Sequence, residues 1–273
     1  RYQAAFANTS MILLHGKSEE PYQYRQLTIC TTHQLLRFQD AFDVLIIDEV
    51  DAFPYANNDS LQMAAKRSVK KHGSLLLMTA TPSPKLRQQY QVSYLPLRFH
   101  RHLLPKIKIH FCFNWKRKIY AGKIPQKVIF KVLQKIERQQ RFLLFVPRIK
   151  DLQVVDEILS KKYHGEKCWK TVYSADEARM EKVQAMRDEK VLFLITTTIL
   201  ERGVTFPGID VIIFGGDERV FSVASLVQIA GRVGRKASRP TGDVDCYIGS
   251  YSSNVAEARK QIAEMNRKGK ALG

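Results

Sequence analysis

Two adjacent carboxylates, Asp48 and Glu49, follow the apolar run "VLII" at positions 44–47. Open α/β sheets bind their ligands at the carboxyl ends of the strands. In such a place Asp48 can hold Mg²⁺ through water, and Glu49 can orient and deprotonate a water molecule that attacks a γ-phosphate. A lone pair of acids is more commonly a solvated strand end, so this hypothesis needs support from other residues.

The next apolar run, "LLLM" at 75–78, leads into the sequence "TATP". The hydroxyls of Thr79 and Thr81 can hydrogen-bond neighbouring acids, and Pro82 stops the strand. Taken alone, this pattern is also typical of a simple turn.

A second candidate group, Gln228, Arg232 and Arg235, has spacings of four and three residues. On a helix these side chains would share one face. An arginine that bridges to a transferring phosphate contributes roughly 10³ to 10⁵ in rate. A basic surface helix is the alternative, but Gly231 and Gly234 weaken a helix and indicate a close approach to the backbone, which favours the functional interpretation.

A polar loop after the apolar run 191–195 contains Thr196, Thr197 and Gly203. Its hydroxyls and amides can hold phosphates of ATP or of DNA. Threonines after a strand more often cap a helix, so the loop carries little weight by itself.

The elements that must position these residues follow an α/β pattern. Short apolar runs at 44–47, 75–78, 142–146 and 191–195 predict buried parallel strands. Stretches with helical spacing separate them, and repeated strand and helix imply parallel sheets covered on both faces. Those helices are predicted at 59–71, 127–138, 149–162 and 176–188.

The charge of the chain favours a polyanionic partner. Lys and Arg number 44 against 26 Asp and Glu, a formal charge of +18 over 273 residues, and nucleic acid is favoured over an anionic membrane. No stretch approaches the roughly 18 apolar residues of a membrane span. No secretion signal is visible either, so we expect a soluble cytoplasmic protein.

The four cysteines are far apart and contain no C-x-x-C pair. This spacing argues against both a zinc site and a disulfide framework, and it suits a reducing compartment. They are Cys30, Cys112, Cys168 and Cys246.

The segment 101–141 is the most basic part of the chain, with twelve Lys or Arg against one acid, Glu137. Its first half interleaves aromatic residues with cations and contains Gly122, so it is predicted to join two lobes. The predicted division is a first lobe at 1–105, a basic aromatic linker at 106–118 and a second lobe at 119–273. The aromatic residues around Trp115 would either stack on DNA or pack within the joint.

Seven segments, read in order, resemble motifs Ib, II, III, IV, IVa, V and VI of superfamily 2 helicases. The amino-acid sequences of these segments are most similar to the ComFA family of competence motors within that superfamily. The segments are "TTHQLLRF" at 31–38, "DEVD" at 48–51, "TATP" at 79–82, "LLFVPRI" at 143–149, "VYSADEAR" at 172–179, "TTTILERGVTFPGIDV" at 196–211 and "QIAGRVGR" at 228–235.

The resemblance implies two RecA-like parallel-sheet lobes that bind ATP and Mg²⁺ in a cleft between them, with single-stranded DNA across their top. Asp48 would serve Mg²⁺ through water and Glu49 the attacking water. Thr79 and Thr81 would couple the sites. Gly203, Gln228, Arg232 and Arg235 would contact the nucleotide, and both arginines would act on the transition state.

The resemblance also assigns a DNA path and partners. Contacts of this kind go mainly to the backbone, so little base specificity is expected. Competence proteins such as ComFC and the membrane DNA channel would be further partners, with the protein at the inner face of the membrane but not inserted in it. The DNA-contacting residues would be Thr31, Thr32, His33, Arg148, Ser174, Thr196 and Thr197.

The sequence departs from the helicase pattern in two places. It contains no phosphate-binding loop of the form G-x-x-x-x-G-K-[ST], because the "GKS" at 16–18 has Met11 where that pattern requires glycine. The first lobe is therefore expected to lack its start, and the chain alone to hydrolyse ATP poorly. Thr205 stands where many helicases have an acid in motif V.

Three functions remain open on this evidence. The first is an ATP-dependent single-stranded DNA translocase or helicase that drives DNA uptake in natural transformation. The second is a DNA-binding scaffold without ATP turnover. The third is a PriA-like primosomal helicase, whose zinc insertion the four scattered cysteines cannot supply.

Overall fold

The chain divides into two compact units, Arg1–Gln91 and Val92–Gly273. The structure is a computed structural model that describes residues 2–18, 23–98 and 101–272. The division falls earlier than the predicted boundary. Residues 106–118 are not a linker, because most of them form an edge strand and a short helix of the second unit.

The first unit contains two pairs of parallel strands, β1 with β2 and β3 with β4. Asn58 caps α2, since its side chain accepts a hydrogen bond from the Leu61 amide. The elements are α1 Tyr2–Ala5, β1 Met11–Leu14, β2 Leu27–Cys30, a 3₁₀ helix Thr32–Arg37, β3 Phe42–Ile47, α2 Asp59–Ser68, β4 Val69–Leu77 and α3 Pro84–Gln89.

Strand β3 is covered on one face only among the described residues. Leu45 and Ile47 are buried in a cluster with Leu61 of α2, whereas Val44 and Ile46 are exposed. The expectation that the sheets are covered on both faces is thus not met in this unit, because successive strand residues point to opposite faces and α2 packs against only one.

The second unit is built on a six-stranded sheet in which every pair is parallel, in the order β5-β10-β9-β6-β8-β7. The elements are β5 Ile107–Phe111, α4 Trp115–Tyr120, α5 Gln126–Glu137, β6 Phe142–Phe145, α6 Ile149–Lys162, β7 Trp169–Val172, α7 Arg179–Arg187, β8 Phe193–Thr196, a 3₁₀ helix Thr198–Leu200, β9 Asp210–Phe214, α8 Val223–Ala230, β10 Val244–Ile248 and α9 Ser253–Lys270.

Both faces of this sheet are covered, as the continuous apolar runs predict. In β6, Leu143 and Phe145 pack into a cluster with residues of α7, α8 and α9. Phe142 and Leu144 pack into the opposite cluster, with residues of α4, α5 and α6. Among the described residues, no helix has the combination of length and apolar character that crossing a bilayer requires.

A buried ion cluster ties α5 to the sheet at the start of β9. The Lys135 ammonium lies 2.6 Å from a carboxylate oxygen of Asp210, and the two side chains are 1% and 0% exposed. Arg239 also donates to both oxygens of Asp210, at 2.7 Å each. Removing one member of a buried pair leaves a desolvated charge, which is usually destabilising.

We expect Lys135→Met to lower the free energy of unfolding by about 3 kcal/mol, because Asp210 loses one of its two cations in a dry site. Urea titration followed by circular dichroism would measure the change. Lys127→Met, an exposed residue on the same helix, is the control and should be close to neutral. Equal stability of the two variants would contradict the prediction.

Candidate nucleotide and nucleic-acid sites

The acids of motif II lie at the carboxyl end of β3, as the sequence predicts. The Asp48 carboxylate is exposed and accepts a hydrogen bond of 2.9 Å from the Glu49 amide. Glu49 has a left-handed backbone, with φ of 54°. A residue with a side chain pays roughly 1 kcal/mol or more for this conformation, and such strain concentrates at functional sites.

The hydroxyls of Thr79 and Thr81 both bond Asp51, the last acid of "DEVD". Thr79 donates to Oδ1 at 2.7 Å and Thr81 donates to Oδ2 at 2.8 Å. The Thr81 amide donates to the Thr79 hydroxyl at 2.9 Å. The two threonines are therefore hydrogen-bonded to each other as well as to the Asp51 carboxylate. The predicted hydroxyl-to-acid contact is therefore present, and Asp51, which had no assigned role, receives it.

The residues present fit a magnesium ion that is shared with phosphates. Among the described residues, no group of three or more His, Cys, Asp or Glu converges to make an all-protein metal cage. Mg²⁺ keeps several waters and commonly binds one or two carboxylates together with substrate phosphates. The exposed Asp48 carboxylate suits that arrangement, whereas both oxygens of Asp51 are engaged by hydroxyls.

Motif VI is only partly helical, which corrects the expectation that its three polar residues share one helix face. Helix α8 ends at Ala230, so Gln228 lies on the helix and both arginines lie in the turn beyond it. Gly234 has φ of 77°, and a Cβ there would lie 2.2 Å from the Pro240 carbonyl oxygen. Only a glycine fits this close approach between backbones.

Arg232 is buried and joins motif VI to motif V. Its Nε donates to the Glu201 carbonyl at 2.9 Å, and its Nη2 donates to the same oxygen. Ser225 of α8 in turn donates to the Glu201 carboxylate. Arg232 therefore sets the shape of the loop that carries Gly203, which has φ of 72° and open space on its Cβ side.

Arg235 lies beside Arg98, a residue outside every motif. Arg98 donates to the Val233 carbonyl at 2.6 Å, and its buried Nη2 has no hydrogen-bond partner within the ranges 2–18, 23–98 and 101–272. Burial, with a further contribution from the charge of Arg235, lowers the pKa of Arg98 to about 10. Burial also lowers the pKa of Arg235. Two neighbouring guanidiniums, of which that of Arg98 is partly desolvated, are suited to an anion with several oxygens.

The first-unit residues of the expected DNA path lie just after β2. Thr31 precedes the 3₁₀ helix, and Thr32 and His33 begin it. Thr31 and His33 are exposed and Thr32 is half-buried. Their side chains therefore lie at a strand's carboxyl end, where a ligand can reach them.

The second-unit residues of that path follow three neighbouring strands. Ser174 is exposed after β7, and Thr197 is half-buried after β8. Arg148 follows β6 and donates to Asp151 at 2.7 Å and to the Tyr120 hydroxyl at 2.6 Å. Its buried Nη2 finds no partner in the part of the chain that the structure describes. The hydrogen bond to Asp151, followed by the one to Tyr120, raises the pKa of Arg148.

Thr196 differs from the rest of the expected path because its side chain is fully buried. Its hydroxyl donates to the Val172 carbonyl at 2.9 Å and so ties β8 to β7. Trp115 is likewise buried, at 1% exposure, and its indole N–H donates to Asp217 at 2.9 Å. Packing is therefore the role of Trp115, and Thr196 is left out of the path proposed below.

Comparison with known proteins identifies the class. Residues 125–237 match the helicase conserved C-terminal domain. A solved structure of Dbp5 from S. cerevisiae, bound to RNA and ADP BeF3, has the same fold, with a TM-score of 0.61 and 17% identity over 96% of this chain and 69% of that one. This confirms the predicted α/β class with RecA-like helicase folding.

Two curated relatives extend the match to nearly the whole chain. The competence protein ComFA of Bacillus subtilis is 39% identical over 272 residues, which are 97% of this chain and 58% of that protein. ComFA of Streptococcus pneumoniae is 40% identical over 260 residues, 93% of this chain and 60% of that protein. The chain thus spans about three-fifths of the length of these relatives.

The matched domain and the two relatives together support the assignment of this chain to the superfamily 2 helicases. Within that class, nearly all of this chain is similar to part of ComFA. The recognition made from the seven motifs is therefore confirmed.

We expect inorganic pyrophosphate to raise the melting temperature of the chain by about 2–4 °C, because an anion relieves the repulsion between Arg98 and Arg235. Arg98→Met should lose this rise. Differential scanning calorimetry at constant ionic strength, with chloride as the comparison salt, measures it. Arg259→Met, an exposed arginine in the same unit, should respond as the wild type does. An undiminished rise in Arg98→Met would contradict the assignment.

Proposed function

We propose that this chain is the motor part of an ATP-driven single-stranded DNA translocase of the ComFA type, which serves DNA uptake in natural transformation. The observation that carries the proposal is its similarity to two ComFA proteins, at 39% and 40% identity over almost all of its residues. The position of the motif residues at strand ends in both units supports it.

ATP with Mg²⁺ would supply the phosphoryl group whose hydrolysis drives movement. For this chain's own residues, Asp48 would hold the metal through water, and Glu49 would orient and deprotonate the attacking water. The left-handed backbone at Glu49 supports this role, because it turns the carboxylate-bearing segment sharply out of the strand. Thr79 and Thr81 would transmit displacements through Asp51, to which both are bonded.

In the second unit, the two arginines of motif VI would have different tasks. Arg235 is exposed, and although its Nε donates to the Gly231 carbonyl at 2.7 Å, the rest of its guanidinium would meet a phosphate together with Gln228 and the backbone around Gly203. Arg232 is buried against the Glu201 carbonyl, so it would act chiefly by linking motif VI to the motif V loop. This division refines the expectation that both arginines act alike.

Single-stranded DNA would run along Thr31, Thr32 and His33 in the first unit and along Arg148, Ser174 and Thr197 in the second. Hydroxyls and guanidinium groups suit phosphate and sugar, so the binding would have little base specificity. The charge of +18 supplies the attraction over a distance. ComFC and the membrane DNA channel would be protein partners at the inner face of the membrane.

A DNA-binding scaffold without ATP turnover is the second candidate. It is favoured by one observation, that the 273 residues contain no G-x-x-x-x-G-K-[ST] sequence. An ATPase assay of this chain with single-stranded DNA should accordingly show little turnover. Robust hydrolysis would exclude the scaffold function and would also show that turnover does not require that loop.

We expect the chain to bind oligothymidylate with strong salt dependence, because each neutralised phosphate of a single strand contributes roughly 0.7 to the slope of log K against log salt. Arg148→Gln should lower that slope by about 0.7. Fluorescence anisotropy across a range of salt concentrations gives both values. Arg259→Gln, remote from the motifs, is the control; equal slopes in the two variants would count against Arg148 as a phosphate contact.

In a longer form of the protein that includes a phosphate-binding loop, we expect Glu49→Gln to keep ATP and DNA binding but to lose turnover at least 100-fold, because the amide cannot accept a proton. Steady-state hydrolysis and nucleotide binding would be measured together. Asp43→Asn, an exposed acid on the same strand, should hydrolyse normally. Unchanged hydrolysis in Glu49→Gln would remove Glu49 from this role.

A further inference from the structure

Two phenylalanine rings are exposed side by side at the carboxyl end of the edge strand β5. Phe111 and Phe113 are 50% and 69% exposed, their ring centroids are 5.8 Å apart, and their planes differ by 13°. Leaving a ring of this size in water forgoes roughly 1.5–3 kcal/mol of burial. A contiguous pair of exposed rings therefore indicates a binding surface rather than a chance exposure.

The backbone around these rings is held firmly, so the surface is preformed. Cys112, between them, is buried, and its amide donates to the Ile248 carbonyl at 2.7 Å. Trp115 anchors the start of α4 through Asp217. The residues that pack inward thus fix the direction in which Phe111 and Phe113 point outward.

The ring pair borders strongly basic surface. Arg117 and Lys118 of α4 are exposed, and neither forms an ion pair with an acid in the part of the chain that the structure describes. At the other end of α4, Tyr120 is 64% exposed, with the Arg148 and Lys150 cations 5.1 Å and 4.9 Å from its ring centroid. Aromatic faces beside positively charged side chains characterise single-strand binding grooves.

We propose that Phe111 and Phe113 form a stacking platform for bases of single-stranded nucleic acid, flanked by Arg117 and Lys118 as phosphate contacts. The platform lies outside the matched helicase domain, which starts at residue 125, and it adds base stacking to the backbone contacts of the motifs. The inference rests on the proposed function. Stacking accepts every base, so the platform would hold the strand without reading its sequence.

An abasic strand separates stacking from charge. The wild-type chain should bind oligothymidylate more tightly than an abasic deoxyribose-phosphate strand of equal length, by roughly 5- to 150-fold. In the double variant Phe111→Ala/Phe113→Ala this difference should disappear, while the salt slope stays unchanged because no cation is lost. Phe130→Ala, a ring on α5 that is 68% exposed, is the matched control and should keep the full difference.

A fluorescent variant tests the contact directly. Phe113→Trp should retain binding, and its fluorescence should be quenched by oligothymidylate but not by the abasic strand. The native Trp115 and Trp169 are 1% and 2% exposed, so quenching would report position 113. Absence of base-dependent quenching in a variant that binds would contradict stacking there.

The outcomes distinguish this inference from the function on which it rests. If the wild-type chain binds neither strand, the proposed function is contradicted and so is the stacking platform. A wild-type chain that binds both strands, with full base dependence kept in the double variant, overturns the platform alone. The same holds if the double variant changes only the oligomeric state in sedimentation, which would make the rings a protein interface.

Discussion

Parallel strand pairing is the constraint on which the candidate sites depend. In a parallel sheet all strands end at one edge, so loops that are far apart in the chain emerge as neighbours. The register makes this concrete, since Phe145 and Val172 both pair with Thr196 at the ends of β6, β7 and β8. Arg148, Ser174 and Thr197 follow these three strands and therefore come from adjacent positions on one edge.

The buried polar side chains of the second unit are of two kinds. Some hold the fold together, as the Thr196 hydroxyl does between strands and Lys135 does against Asp210. Others are incompletely satisfied by the described residues, as Arg98 and Arg148 are, with a buried guanidinium nitrogen each. Unsatisfied buried donors are costly, and a ligand oxygen at Arg98 or Arg148 would offset that cost.

A left-handed backbone occurs at two of the motif residues, as it does at several positions outside the motifs such as Asn114 and Gln139. Glu49 and Arg235 both have positive φ, at 54° and 65°, and both belong to the residues expected to act on phosphate. Glu49 lies two residues after the end of β3, and Arg235 lies five residues after the end of α8. The cost is retained because neighbouring bonds hold it, such as the one from the Asp48 carboxylate to the Glu49 amide.

The sequence by itself determined the class of fold and the motif positions. Short continuous apolar runs that alternate with helical stretches favour buried parallel strands, and the order of the seven motifs is too specific to arise by chance, so the α/β class and the superfamily followed. The helix of the basic segment was also readable, because its apolar residues recur at helical spacing and α5 buries Val128, Val132 and Ile136.

Only the tertiary structure decided how individual side chains are used, since burial and partners depend on residues that are distant in the chain. In the folded chain Trp115 is buried whereas nearby Phe113 is exposed, and α8 ends before Arg232. Asp51 accepts hydrogen bonds from Thr79 and Thr81. No local pattern places Arg98 beside Arg235, because the two are brought together by the fold around Val233. Spacing predicts which residues share an element, but packing determines which of them a ligand can reach.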